Sequence, residues 1–118
     1  MGTHDLIRDD VGVTLRLEGD WTVRGAAALR EALLSALSAD ALVRVDLSDV
    51  TAVDMSMFEV LHAACQSAAR DARRFERTGV LSETVRKAAT LSGFTDYAPF
   101  RDFWKNEERN VQDDHDRG

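Results

Sequence analysis

Apolar and polar positions alternate from Val11 to Glu18. Val11, Val13, Leu15 and Leu17 stand against Gly12, Thr14, Arg16 and Glu18, the period-two signature of a strand with one buried face. Leu6 to Arg8 starts an earlier strand, and Asp9-Asp10 makes the turn between them. The two segments predict a hairpin. Residues 1 to 5 carry no pattern and are expected to fray. Gly19-Asp20-Trp21-Thr22 reads as the next turn. Leu29, Ala32, Leu33, Ala36 and Leu37 then recur at helical spacing and predict a helix from about Val23 to Ser38. Leu42, Val43, Val45 and Leu47 form a dense, β-branched run suited to a buried central strand. Ser48 and Asp49 are expected to break it, leaving Val50 to Val53 as a short apolar link. Asp54 opens a long helix whose stripe is Phe58, Leu61, Cys65, Ala68, Ala69 and Ala72.

Beyond that helix the pattern weakens. Arg73 to Arg77 is basic, with Phe75 its only large apolar residue. Thr78-Gly79 turns the chain. Ser82 is an N-cap for a helix through Val85, Ala88, Ala89 and Leu91, and Gly93 ends it as a left-handed cap. Pro99 suits a first helical position. Phe100, Phe103 and Trp104 follow at i, i+3 and i+4, predicting a short last helix that closes the core or faces a dimer or partner. Residues 1–106 read as one domain and 107–118 as a disordered acidic tail. Strand, helix, strand, helix order makes the fold class α/β.

Composition narrows the function. At 118 residues the chain holds one domain, and 44% hydrophobic residues suffice for one core. A net charge of −6 opposes nucleic acid, which requires a basic face. It also disfavours an anionic membrane surface. No apolar run approaches membrane-spanning length, so no membrane insertion is expected. The single Cys65 and the absence of a basic-then-apolar leader fit a reducing cytoplasm.

The stretch from residue 41 to 72 resembles the STAS domain family, which includes the bacterial anti-sigma factor antagonists. The family pattern is an apolar strand, Asp-Leu-Ser, a short apolar link, then Asp followed by Ser or Thr at a helix start. Asp46-Leu47-Ser48 and Asp54 match it. Met55 stands where the family's phosphoacceptor usually sits, and Ser56 follows one position late. The likeness runs from residue 6 to about 104. It implies a mixed β-sheet of four to five strands with helices mainly on one face, and a short strand over Arg73 to Arg77. It also implies an acidic residue near Thr22 that helps at the switch site; here Asp20 stands two places earlier. The function implied is regulatory protein binding and partner switching, the partner being an anti-sigma factor or a serine kinase-like switch protein. Some stand-alone members instead serve the ATPase of a lipid-type ABC transporter.

The candidate partner-binding residues are therefore Asp20, Trp21, Thr22, Asp54, Met55, Ser56, Met57 and Phe58. Trp21 is either a ring folded over the helix start or an exposed interface anchor. Met55, Met57 and Phe58 crowd the first turn and cannot all face the sheet, which leaves an apolar patch suited to docking. Two starts compete for the long helix. Asp54 can cap it with Val53 stapled to Phe58, or Ser56-Met57-Phe58-Glu59 can form a capping box with Met55 and Val60 as the staple. Ser56 is the one candidate phosphorylation site, yet it lies about 100° around the helix from the family position. His62 and Cys65 sit three apart but lack a second ligand pair, so no metal is expected. No glycine-rich phosphate loop or paired nucleophile and base is present, so neither an enzyme nor a cofactor is expected. A homodimer is compatible with the pattern.

Overall fold

The computed structural model describes residues 2–93 together with Phe103 and Trp104. Strands β1 (Thr3–Arg8), β2 (Val13–Trp21), β3 (Leu42–Val53) and β4 (Arg74–Thr78) form one sheet in that spatial order. β1 and β2 pair antiparallel, whereas β2 with β3 and β3 with β4 pair in parallel. The parallel pairs are joined by helices α1 (Val23–Ala39) and α2 (Met55–Arg70), which pack against each other. A third helix, α3 (Glu83–Ser92), packs along β3. The fold is a mixed α/β sheet with helices mainly on one face.

One core joins these elements. Val13, Leu15 and Leu17 of β2 and Val43, Val45 and Leu47 of β3 are buried together with Leu29, Leu33, Phe58, Leu61 and Val85. The other sheet face is polar and balances its own charge. Arg16 Nη2 lies 2.6 Å from Asp49 Oδ2, and Arg44 Nη1 lies 3.4 Å from Asp9 Oδ2. Arg74 pairs with Glu76.

Several boundaries differ from the sequence reading. Residues 3–5 belong to β1, because backbone pairing to β2 holds them where no side-chain pattern does. β2 continues through the expected turn at Gly19-Asp20 to Trp21, helped by register shifts between Arg16 and Glu18 and between Gly19 and Asp20. β3 runs unbroken through Ser48 and Asp49 to Val53. Asp46 Oδ1 accepts from Ser48 N at 3.0 Å and from Ser48 Oγ at 2.7 Å, so local polar groups are satisfied inside the strand. In α2, Ala64 is buried and Ala69 is exposed, and Ala72 lies beyond the helix with φ of 57°.

The C-terminal half agrees more closely. β4 forms where the family likeness implied it. Ser82 Oγ accepts from Val85 N at 3.3 Å, and Gly93 caps α3 with φ of 78°. Leu91 is exposed, so it does not extend the buried side of that helix. Phe103 stacks on Phe75 with centroids 5.0 Å apart, and Trp104 tilts against Phe58 at 5.8 Å. Arg77, itself buried, donates from Nη2 to the Trp104 carbonyl at 2.6 Å. These two aromatics close the core. Pro99, Phe100 and the expected tail at 107–118 lie outside the described residues.

Candidate functional site

β2 and β3 end side by side, with Trp21 paired to Val53. The helices that follow therefore begin next to each other, although Thr22 and Asp54 are far apart in sequence. One carboxylate joins the two starts. Asp54, extended at φ −138° and ψ −175°, is the N-cap of α2, and its Oδ1 accepts from Ser56 N at 2.9 Å. Its Oδ2 accepts from Val23 N, also at 2.9 Å. Val23 is the first residue of α1, whose own N-cap Thr22 makes no side-chain cap bond. Asp54 thus satisfies an unpaired N–H at the head of each helix and places its negative charge at two positive dipole ends. The competition for the start of α2 is decided in favour of Asp54. Ser56 is the second helical residue rather than the cap.

The expected site residues divide into surface and core. Asp20 and Met55 are exposed, and Thr22, Asp54 and Ser56 are half-buried. Trp21, Met57 and Phe58 lie in the core and not on the surface expected of them, being only 2%, 1% and 1% exposed. The Trp21 ring folds over α1, so that a Cβ added at Gly25 would lie 3.0 Å from it. Its Nε1 donates to the Glu18 carbonyl at 3.0 Å. Met57 and Phe58 point into the core because they share the helix side of Leu61, Ala64 and Cys65. Met55 lies on the opposite side with Glu59, one turn apart. Val23, absent from the expected set, is 66% exposed at the head of α1, and Met55 is 49% exposed at the head of α2. A valine at the head of a helix and off its apolar stripe was the available signal.

Cys65 is buried, and burial pushes its thiol up to about 12. At neutral pH it is an inert thiol in the core. Among the described residues, no group of three or more His, Cys, Asp and Glu side chains is placed to hold a metal ion.

A family model described as Mlab, STAS domain matches residues 4–101. The chain belongs to the STAS family. The STAS fold recurs in solved structures. An anti-sigma factor antagonist from Mycobacterium paratuberculosis superposes with a TM-score of 0.70 at 19% identity, covering 84% of each chain. A putative anti-sigma factor antagonist from Thermotoga maritima gives 0.68 at 16% identity, over 79% of this STAS domain and 80% of that chain. The anti-sigma factor antagonist SpoIIAA in its unphosphorylated form gives 0.61 at 17% identity, over 75% and 83%. At these identities the likeness shows the fold. No curated protein sequence matches the chain.

Proposed function

We propose that this STAS domain is a regulatory docking module that works by binding, as an antagonist of an anti-sigma factor or of a related serine kinase-like switch protein. The observation that carries this reading is the double cap by Asp54. It holds the heads of α1 and α2 together as one surface, so Asp20, Thr22, Val23, Met55 and Ser56 are presented jointly rather than on two independent loops. Val23 and Met55 supply exposed apolar area on either side of the carboxylate. Burying such area drives association, and a preorganised surface loses little entropy on binding.

The module does not use phosphate at the family position, because Met55 has no hydroxyl. Ser56 lies one position further along the helix and is half-buried. The module is then constitutively able to bind, or is controlled through its partner. Incubation with a kinase-like partner and ATP, followed by intact mass measurement, is expected to leave the mass unchanged. A stoichiometric phosphate on Ser56 with loss of binding refutes this.

A second reading, an accessory subunit of a lipid-type ABC transporter ATPase, is favoured by the type of family model that matches. Capture from the native cell, read by mass spectrometry, separates the two. An anti-sigma-like kinase supports the switch, and an ABC ATPase supports the transporter. With either partner in hand, Met55→Asp and Val23→Asp are expected to weaken binding at least about tenfold, because a charge must be desolvated in the contact. Unchanged affinity in both variants removes the proposed surface.

A further inference from the structure

Strand β1 ends the sheet, and among the described residues it pairs only with β2. All six of its residues are exposed. An edge strand presents a row of unpaired N–H and C=O groups, and natural proteins blunt such edges with proline, charged side chains, lysine above all, bulges or inward-pointing charge. β1, Thr-His-Asp-Leu-Ile-Arg, has no proline and no lysine, and its acid and its arginine are Asp5 and Arg8. Its register with β2 runs from Thr3↔Glu18 to Arg8↔Val13 without a shift. On the helix side it carries His4, Leu6 and Arg8, opposite the buried Leu17, Leu15 and Val13. The arginine on that side, Arg8, stands at the strand's end and is held by Asp40 at 3.1 Å. Asp5 and Leu6 are central, and the adjoining apolar pair, Leu6 and Ile7, is 44% and 52% exposed.

We propose that this edge pairs with the same edge of a second copy, antiparallel about a two-fold axis through Leu6. A two-fold axis normal to the sheet keeps each face continuous. Paired residues must then come from the same face, so the axis passes through a residue rather than between two. Centring on Asp5 sets Asp5 against Asp5 of the second copy, and centring on Ile7 sets Asp5 against its Asp9. Like charges directly opposite destabilise a ladder. Centring on Leu6 avoids both, placing Leu6 on Leu6, Asp5 on Ile7 and His4 on Arg8. The contact is isologous and closes as a dimer instead of growing into a fibre. The second copy is the fitting occupant because it brings the same open ladder in the same register. The shared edge joins two four-stranded sheets into one.

A strand edge buries less than the ~800 Å² per partner of a standard stable interface, so the dimer is weak and reversible. Each copy carries a net charge of −6, and the two repel. Raising salt therefore strengthens the pairing, whereas an interface made of ion pairs weakens.

Sedimentation equilibrium on the full chain, from about 10 µM to about 1 mM, tests this. The weight-average mass is expected to rise from 13.1 kDa toward twice that value, and to rise further with added salt. Leu6→Lys, at an exposed position, is expected to restore the monomer mass while circular dichroism stays unchanged. Leu6→Cys gives the register. Directly opposed residues have Cβ atoms ~4.5–5.5 Å apart, close enough for mild oxidation to link them after a small shift. Asp5→Cys places its two thiols on a diagonal of ~7–8 Å, out of reach. The native Cys65 is buried and does not interfere. A mass fixed at 13.1 kDa throughout overturns the proposal. So does a dimer that survives Leu6→Lys, or one that Leu6→Cys fails to cross-link.

Discussion

Replacing Asp54 probes the joint between the two helices directly. In Asp54→Ala, Ser56 N and Val23 N both lose their acceptor. Losing one side-chain cap costs about 1 kcal/mol. Losing a negative charge near a helix head costs a further ~0.3–1 kcal/mol for each helix. Asp54 serves both helices, so two caps and two charge contributions sum to about 2.6–4 kcal/mol. For a chain of this size that lowers Tm by about 10 °C. Asp54→Asn separates the two contributions. An asparagine keeps one oxygen, which continues to cap α2 through Ser56 N. Its amide group then faces Val23 N with a donor, so α1 loses its cap. The asparagine variant also loses the charge at both helix heads, so it is expected to differ from the alanine variant by the one retained cap, about 1 kcal/mol. Thermal unfolding gives the two magnitudes, and amide hydrogen exchange locates them. In the asparagine variant Val23 exchanges faster while Ser56 keeps its protection. In the alanine variant both exchange faster. Equal losses in the two variants, or an alanine loss near a single cap's cost with Val23 still protected, refutes the double cap.

Met57→Asp is expected to unfold the domain, because it puts a carboxylate into a site 1% exposed, and Phe58→Ala should cost about 3–5 kcal/mol in denaturant unfolding; a folded Met57→Asp would return that position to the surface. Ala72→Gly should raise stability by about 0.5–1 kcal/mol, since Ala72 holds a left-handed φ of 57° that glycine adopts without strain. Asp9 Oδ1 accepts from Val11 N at 2.8 Å and Gly12 N at 3.0 Å, and these backbone bonds, that to Gly12 foremost, hold its carboxyl below the ordinary value of 3.8. Its folded pKa is depressed, so its contribution to the β1–β2 hairpin is full above the unfolded value and is lost as pH falls through the folded one. Asp9→Asn should therefore flatten the acid limb of a stability-against-pH curve below about pH 4, and an unaltered limb would show that the turn contributes nothing there.

Local information was legible wherever one short segment was sufficient. The period-two run of β2, the stripe of α1, and the caps at Asp54, Ser82 and Gly93 depend on neighbours within a few residues, and each appears in the structure. The family motif Asp46-Leu47-Ser48 with Asp54 led to the fold because such motifs track backbone geometry. Pairing and burial were decided by tertiary structure. β1 reaches back to Thr3, and β3 passes through Ser48 and Asp49, because ladders to neighbouring strands hold backbone that side chains alone do not. The sequence could propose Asp54 as a cap for its own helix. It could not show the bond to Val23, thirty-one positions away, which exists only because β2 and β3 lie parallel with Trp21 opposite Val53. The same register sends Trp21, Met57 and Phe58 inward and leaves Val23 and Met55 outside. Apolar residues crowded at a helix head look alike in sequence, and only the packing of that helix on the sheet sorts core from surface.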